Sequence, residues 1–251
     1  MYHEYLPDKR LQHLIETFWV SDTTVSSASV QRILPDGCVD IIFNIESNNG
    51  KGQPYNQLPY IVGTITTYLD VIFEPGKTQM LGIRFRPGGI TAFTHMPVYE
   101  LTNRTVELAL TETLFEGAFY EQLSDFSTMA ERIANIENYL LGKLPYVRST
   151  EKRIDYTIEY ILKANGLTSL RQMADIACLS ERHLERQFKV SVGVAPKKFC
   201  RIVKFRHTLR YLRHWPQEGL YSAALECGYF DHSHLIKDFK EFGGSVPGEL
   251  F

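Results

Sequence analysis

The chain has 251 residues, 44% of them apolar and 22% charged, an ordinary globular balance that fits one large domain or two of usual size. Its 17 Gly and 11 Pro exclude collagen-like and low-complexity chains, and no apolar run approaches the roughly 20 residues of a membrane span. The net charge of −2 hides an asymmetry: residues 151–251 hold 16 Lys and Arg against 12 Asp and Glu, leaving 11 against 17 for residues 1–150. A basic half beside an acidic one suits a polyanionic partner.

Met1–Arg10 contains Glu4 and Asp8 and has no apolar segment of the secretory type. Cys38, Cys178, Cys200 and Cys227 form no C-x-x-C pair. The expectation is a cytoplasmic protein with reduced thiols.

The first 90 residues read as strands. Thr17–Asp22 and Val30–Leu34 are candidates, followed by Val39–Ile45, where Val39, Ile41, Phe43 and Ile45 share one parity. The polar Ser47–Gln57 reads as an exposed loop. Tyr68–Phe73 and Gln79–Phe85 flank Glu74-Pro75-Gly76-Lys77, and Pro followed by Gly is type II turn chemistry, so these two predict a hairpin. In its second arm Leu81, Ile83 and Phe85 point one way, and Met80, Gly82, Arg84 and Arg86 the other.

After Pro87-Gly88-Gly89 the pattern turns helical. Met129, Ile133, Ile136 and Leu140 form one stripe, read first as packing on its own β-domain and second as a dimer seam. Leu144-Pro145 ends that helix, and Tyr146–Thr150 is a linker.

Residues 151–251 contain a duplication. Leu170, Ala174 and Cys178 recur as Leu220, Ala224 and Gly228, while Leu184, Phe188, Lys189, Gly193 and Pro196 recur as Leu235, Phe239, Lys240, Gly244 and Pro247. Each copy has a short helix with a small residue for close crossing, a tight turn, and a polar cap, Ser180 or Asp231. A second helix follows that spends only two residues on the core. Glu181, Arg182, His183, Glu185, Arg186, Gln187 and Lys189 cover the rest of the first such helix; His232, Ser233, His234, Lys237, Asp238 and Lys240 cover the rest of the second. This is a helix-turn-helix, twice. Between the copies, Pro196 starts and Pro216 stops a helix of roughly 28 Å, with Phe199, Ile202, Val203, Leu209 and Leu212 as its apolar stripe.

The runs LRQMADIACLSERHLERQFK, GVAPKKF and ALECGYFDHSHLIKDFK, ending in GSVP, resemble the AraC/XylS family of bacterial transcription regulators. The resemblance covers about residues 155–251. It implies two helix-turn-helix motifs in consecutive major grooves of promoter DNA, with RNA polymerase as a further partner, activation as the commoner mode and homodimers as an option. Carried over by position, Arg182, Glu185, Arg186, His232, Ser233 and Lys237 would contact base edges. Ser180, Lys189, Lys197, Lys198 and Lys240 would contact phosphates. Three positions depart from the family pattern: Cys178 stands at a turn often held by Gly, Ala223 where a larger aliphatic is usual, and Gly243 where an aromatic is usual, with Phe242 beside it. The second motif is therefore expected to be the weaker reader.

HEYLP, ILPDGCVDIIFN and GIRFRPGG resemble a β-rich domain that precedes such DNA-binding halves in many regulators. The expected fold is α+β. A cupin-like β-domain over 1–145, with trailing helices, is followed over 151–251 by an all-α domain with helix-turn-helix motifs at about 169–190 and 220–242 and a linker helix at about 196–214.

His3, His13 and His95 are too scattered for a metal centre, so neither metal nor cofactor nor enzymatic activity is expected. The first domain is expected to sense a small molecule or to dimerise. Candidate pocket residues are Trp19, Cys38, Phe43, Tyr68, Phe85, Arg84 and Arg86, with the two arginines suited to an anion and Asp36, Cys38 and Asp40 as a second polar cluster. The alternative is an enzyme domain, or an alkyl or redox acceptor using Cys38, fused to a DNA-binding half.

Overall fold

The computed structural model describes residues 1–47, 59–108, 114–115 and 117–250. Among the described residues eight strands form the first part: β1 Tyr2–Tyr5, β2 Ile15–Val25, β3 Ser29–Ile33, β4 Val39–Ser47, β5 Tyr60–Val62, β6 Leu69–Phe73, β7 Gly76–Phe85 and β8 Thr105–Glu107. Six make an antiparallel sheet in the order β1-β2-β7-β4-β5-β8, and β3 pairs with β6 in a second, two-stranded sheet. The polar stretch expected as a loop lies outside the described residues beyond Ser47.

Alternation divides the large sheet into two faces. Phe18, Val20, Val39, Ile41, Phe43, Leu81, Ile83 and Phe85 are buried in one core. Helices α1 Gly117–Ser124 and α2 Met129–Lys143 cover that face, adding Phe119, Leu123, Ile133, Ile136 and Leu140. The stripe on α2 thus packs on its own domain and supplies no dimer seam. Thr128 and Glu131 close a capping box that fixes where α2 begins.

One expectation fails here. The strands β6 and β7 flank the Pro75-Gly76 bend but do not pair, because β2 and β4 occupy both edges of β7 while β6 pairs with β3. The bend carries the chain from one sheet to the other, with Gly76 at φ 132°.

The second part is helical: α3 Lys152–Lys163, α4 Leu170–Ala177, α5 Glu181–Val192, α6 Pro196–His214, α7 Leu220–Glu226 and α8 His232–Gly243. All but α3 stand where the duplication puts them. Buried Ala174 and Ala224 hold the close crossings. Cys178 takes a left-handed conformation at φ 51°, matching Gly228 at φ 68° in the second copy. Gly193 and Gly244, also left-handed, end α5 and α8. The helix α6 is apolar on two faces rather than along one stripe. Phe199, Cys200 and Val203 join the first motif's core, and Ile202, Phe205, Leu209 and Leu212 join the second's. Gly243 leaves room for Leu250, whose Cδ1 would lie 2.6 Å from an added Cβ, while Phe242 is fully buried.

A polar seam joins the two parts. Thr64 Oγ1 donates to the Val192 carbonyl at 2.8 Å, and Thr102 Oγ1 to the Gly193 carbonyl at 2.9 Å. Arg32 Nη1 donates to the Gly243 carbonyl at 3.1 Å. The first part therefore touches the C-terminal ends of both α5 and α8.

Candidate nucleic-acid interface and cavity

Each candidate reading helix is fixed at its start by a side chain. Ser180 Oγ accepts from the His183 N–H at 3.3 Å, and Asp231 Oδ1 from the His234 N–H at 2.8 Å. Leu184 and Phe188 on α5, and Leu235 and Phe239 on α8, are fully buried. That orientation leaves Arg182 and Arg186 exposed and Glu185 half-buried on α5. His232, Ser233 and Lys237 are exposed on α8.

Of the residues expected at phosphates, Ser180, Lys189, Lys197 and Lys240 are exposed. Lys198 is not free. It pairs with Glu241 and lies 4.6 Å from the Phe242 ring centroid, so its charge ties α6 to α8. Arg201, one turn further along α6, does the same with Asp238 at 2.6 Å and Glu241 at 2.5 Å. Asp238 is buried, and its sequence reading as part of the polar face is corrected: it is the buried half of this clamp.

The sheet face opposite the core lines a cavity of about 400 Å³. The strands β3 and β6 form its other wall, through Ile33, Leu69, Val71 and Phe73. Trp19, Cys38 and Arg84 line it, together with Asp36 and Asp40. Phe43 and Phe85 do not, because their parity turns them into the core behind the sheet, where they are fully buried. Tyr68 lies outside the lining, under the Arg32 guanidinium at 4.2 Å. Arg86 follows the end of β7 and donates to the Gln12 carbonyl at 2.7 Å, away from the cavity.

The charged end of the cavity is compact. Asp40 accepts from Trp19 Nε1 at 2.7 Å and lies 3.3 Å from Arg84. Arg84 also lies 3.7 Å from Asp36. Burial pushes the Asp40 carboxyl up to about 6, against the opposing pull of Arg84. Burial works against the Arg84 charge, but Asp40 and Asp36 outweigh it and hold the guanidinium protonated. Arg84 is thus already neutralised, which removes the reason to expect an anion there. Burial, reinforced by Asp36, Glu16 and Asp40, pushes the Cys38 thiol well above its ordinary range. Its thiolate is disfavoured, contrary to what a cysteine acceptor needs. Cys200 and Cys227 are also buried, and Cys178 is exposed. Among the described residues no group of three or more His, Cys, Asp or Glu is placed to hold a metal ion.

The family model described as "Helix-turn-helix domain" matches residues 173–251, from within α4 to the end of the chain. Residues 173–251 form a helix-turn-helix domain of the AraC type. The model described as "Domain of unknown function (DUF6597)" matches residues 3–107, the β-rich part in front of it. The chain is 30% identical over 145 residues to the HTH-type transcriptional activator RhaS of Escherichia fergusonii, covering 52% of this chain and 50% of that one. It is 32% identical over 85 residues to RhaS of an Enterobacter species, covering 33% and 29%. The chain thus matches half the length, or less, of these curated relatives. Among solved structures, unsaturated fatty acid-bound ToxT from Vibrio cholerae matches over 92% of this chain and 94% of that one, at 9% identity and a TM-score of 0.49. No helix among the described residues is long and apolar enough to cross a membrane.

Proposed function

We propose that the protein is a DNA-binding transcription activator whose AraC-type domain reads two adjacent major grooves. The observation that carries this is the pairing of two capped, exposed, polar helices, α5 and α8, on the single rod α6. Arg182, Glu185 and Arg186 on the first, and His232, Ser233 and Lys237 on the second, are the base-reading residues. Ser180, Lys189, Lys197 and Lys240 hold phosphates. Lys198 is withdrawn from that set by its bond to Glu241. Activation is supported by the name of the RhaS relatives, and RNA polymerase is the protein partner that this mode of action would require. The cavity of the first domain is the effector site: at about 400 Å³ it falls within the size range of small-molecule pockets, and its wall is apolar with a few convergent polar groups.

In-vitro selection of DNA sites with the full-length protein tests the reading. Two short boxes about one helical turn apart are expected. A single box, or unselective binding that vanishes with salt, contradicts it. On the selected site Arg186→Ala is expected to weaken binding more than Lys237→Ala, by about 1–3 kcal/mol for a lost guanine contact. The reverse order would make the second motif the stronger reader.

A further inference from the structure

The charged end of the cavity reaches the DNA-binding half through one carboxylate. Asp36 Oδ1 accepts from the Cys38 N–H at 2.9 Å. Its Oδ2 has no hydrogen bond among the described residues. Instead it faces two guanidinium groups beyond hydrogen-bond reach, Arg84 at 3.7 Å and Arg206 at 3.8 Å. Arg206 belongs to α6 of the AraC-type domain and is half exposed.

At the charged end of the cavity two carboxylates, Asp36 and Asp40, face one guanidinium, Arg84, while the third lining carboxylate, Asp70, is paired with Arg32. The charge that balances them comes from outside, on Arg206. Beside Asp40 the rings of Trp19 and Tyr2 line the same space, with centroids 6.0 Å apart. Aromatic faces next to carboxylates are what an ammonium group selects, and the remaining wall is mixed, with Ile33, Leu69, Val71 and Phe73 beside Gln31 and Asp70.

We propose that the cavity takes an apolar molecule bearing one cationic nitrogen, which hydrogen-bonds to Asp36 Oδ2 and displaces Arg206 as its counter-charge. This rests on the reading of the cavity as an effector site. An N–H donor at hydrogen-bond distance meets Asp36 more closely than Arg206 does at 3.8 Å. The released guanidinium removes one ionic contact between the first domain and α6, on which both reading helices are mounted, while the packing of Gly37 on Phe199 stays. Binding of the amine and the Arg206–Asp36 contact therefore oppose each other.

Calorimetry on the full-length protein, with phenethylamine and phenylpropionate as probes, tests this. The amine is expected to bind and the carboxylate to bind at least tenfold more weakly. Asp36→Asn is expected to weaken the amine at least tenfold. Arg206→Ala, which leaves the cavity wall intact and removes the competitor, is expected to tighten it about threefold or more. Equal or better binding of the carboxylate, or no change with Arg206→Ala, overturns the proposal while leaving the cavity as an effector site. Binding of neither probe overturns both.

Discussion

Gly37 sits against the fully buried ring of Phe199, at φ 82°, where the first domain meets α6. An added Cβ would fall 2.4 Å from Phe199 Cε2 in a backbone conformation that L residues rarely adopt. Gly37→Ala is therefore expected to lower stability by about 1–3 kcal/mol, read as a drop in thermal midpoint. Asp40 gives a pH signature. Its carboxyl, raised to about 6 by burial, binds a proton more tightly in the folded than in the unfolded chain. The resulting stabilisation is present below the ordinary carboxylate range and is lost as pH rises through about 6. Trp19, Arg84, Asp36, Cys38 and Tyr2 surround it. Melting curves between about pH 4 and 7 are expected to fall with rising pH more for the wild type than for Asp40→Asn. Parallel curves would mean that Asp40 is no more proton-avid folded than unfolded.

At the scale of elements, α6 carries the architecture. It gives one apolar face to each motif and uses Lys198 and Arg201 to grip α8 through Asp238 and Glu241. Arg201→Ala strands the buried Asp238 carboxylate. With Arg201 itself 38% exposed, the loss is expected at about 2 kcal/mol, below the 3–5 of a fully buried pair, and denaturant titration measures it. The helices of this half were legible because caps, prolines and the repeated Leu and Phe positions are local signals. The second face of α6 was not. Phe205 needs both motifs in place before its burial makes sense, and a single stripe read along the helix misses it. In the first domain, strand parity set Arg84 on the face opposite Leu81, Ile83 and Phe85, and Trp19 was legible as a pocket residue on its aromatic character alone. The same parity, applied to Phe43 and Phe85, would have sent them to the core, so that error was avoidable. The β6–β7 pairing was beyond a local reading, because which strand takes an edge of β7 depends on distant β2 and β4.

At the scale of the whole molecule, residues that line the cavity are interleaved with residues that hold the C-terminal ends of α5 and α8. Gly63 and Ile65 face the cavity, while Thr64 between them holds the end of α5. Gln31 and Ile33 line it, while Arg32 between them holds the end of α8 and pairs with Asp70 at 2.7 Å. Each wall of the cavity thus also holds the end of one recognition helix. Replacing both contacts, by Thr64→Val with Arg32→Ala, is expected to leave single-box binding within about twofold of wild type, since neither residue lies on a recognition helix. The same double variant is expected to accept a wider range of box separations in a gel-shift series. Unchanged selectivity would mean that α6 alone sets the spacing.

The most direct test of the central claim is the affinity of the full-length protein for DNA carrying both selected boxes, with and without about half a helical turn, roughly five base pairs, inserted between them. Two recognition helices fixed on one rigid rod predict that the insertion reduces affinity to that of the better single box, a loss of at least tenfold. Equal affinity before and after the insertion would contradict the account, because it would mean that the two helices do not read one face of the duplex together.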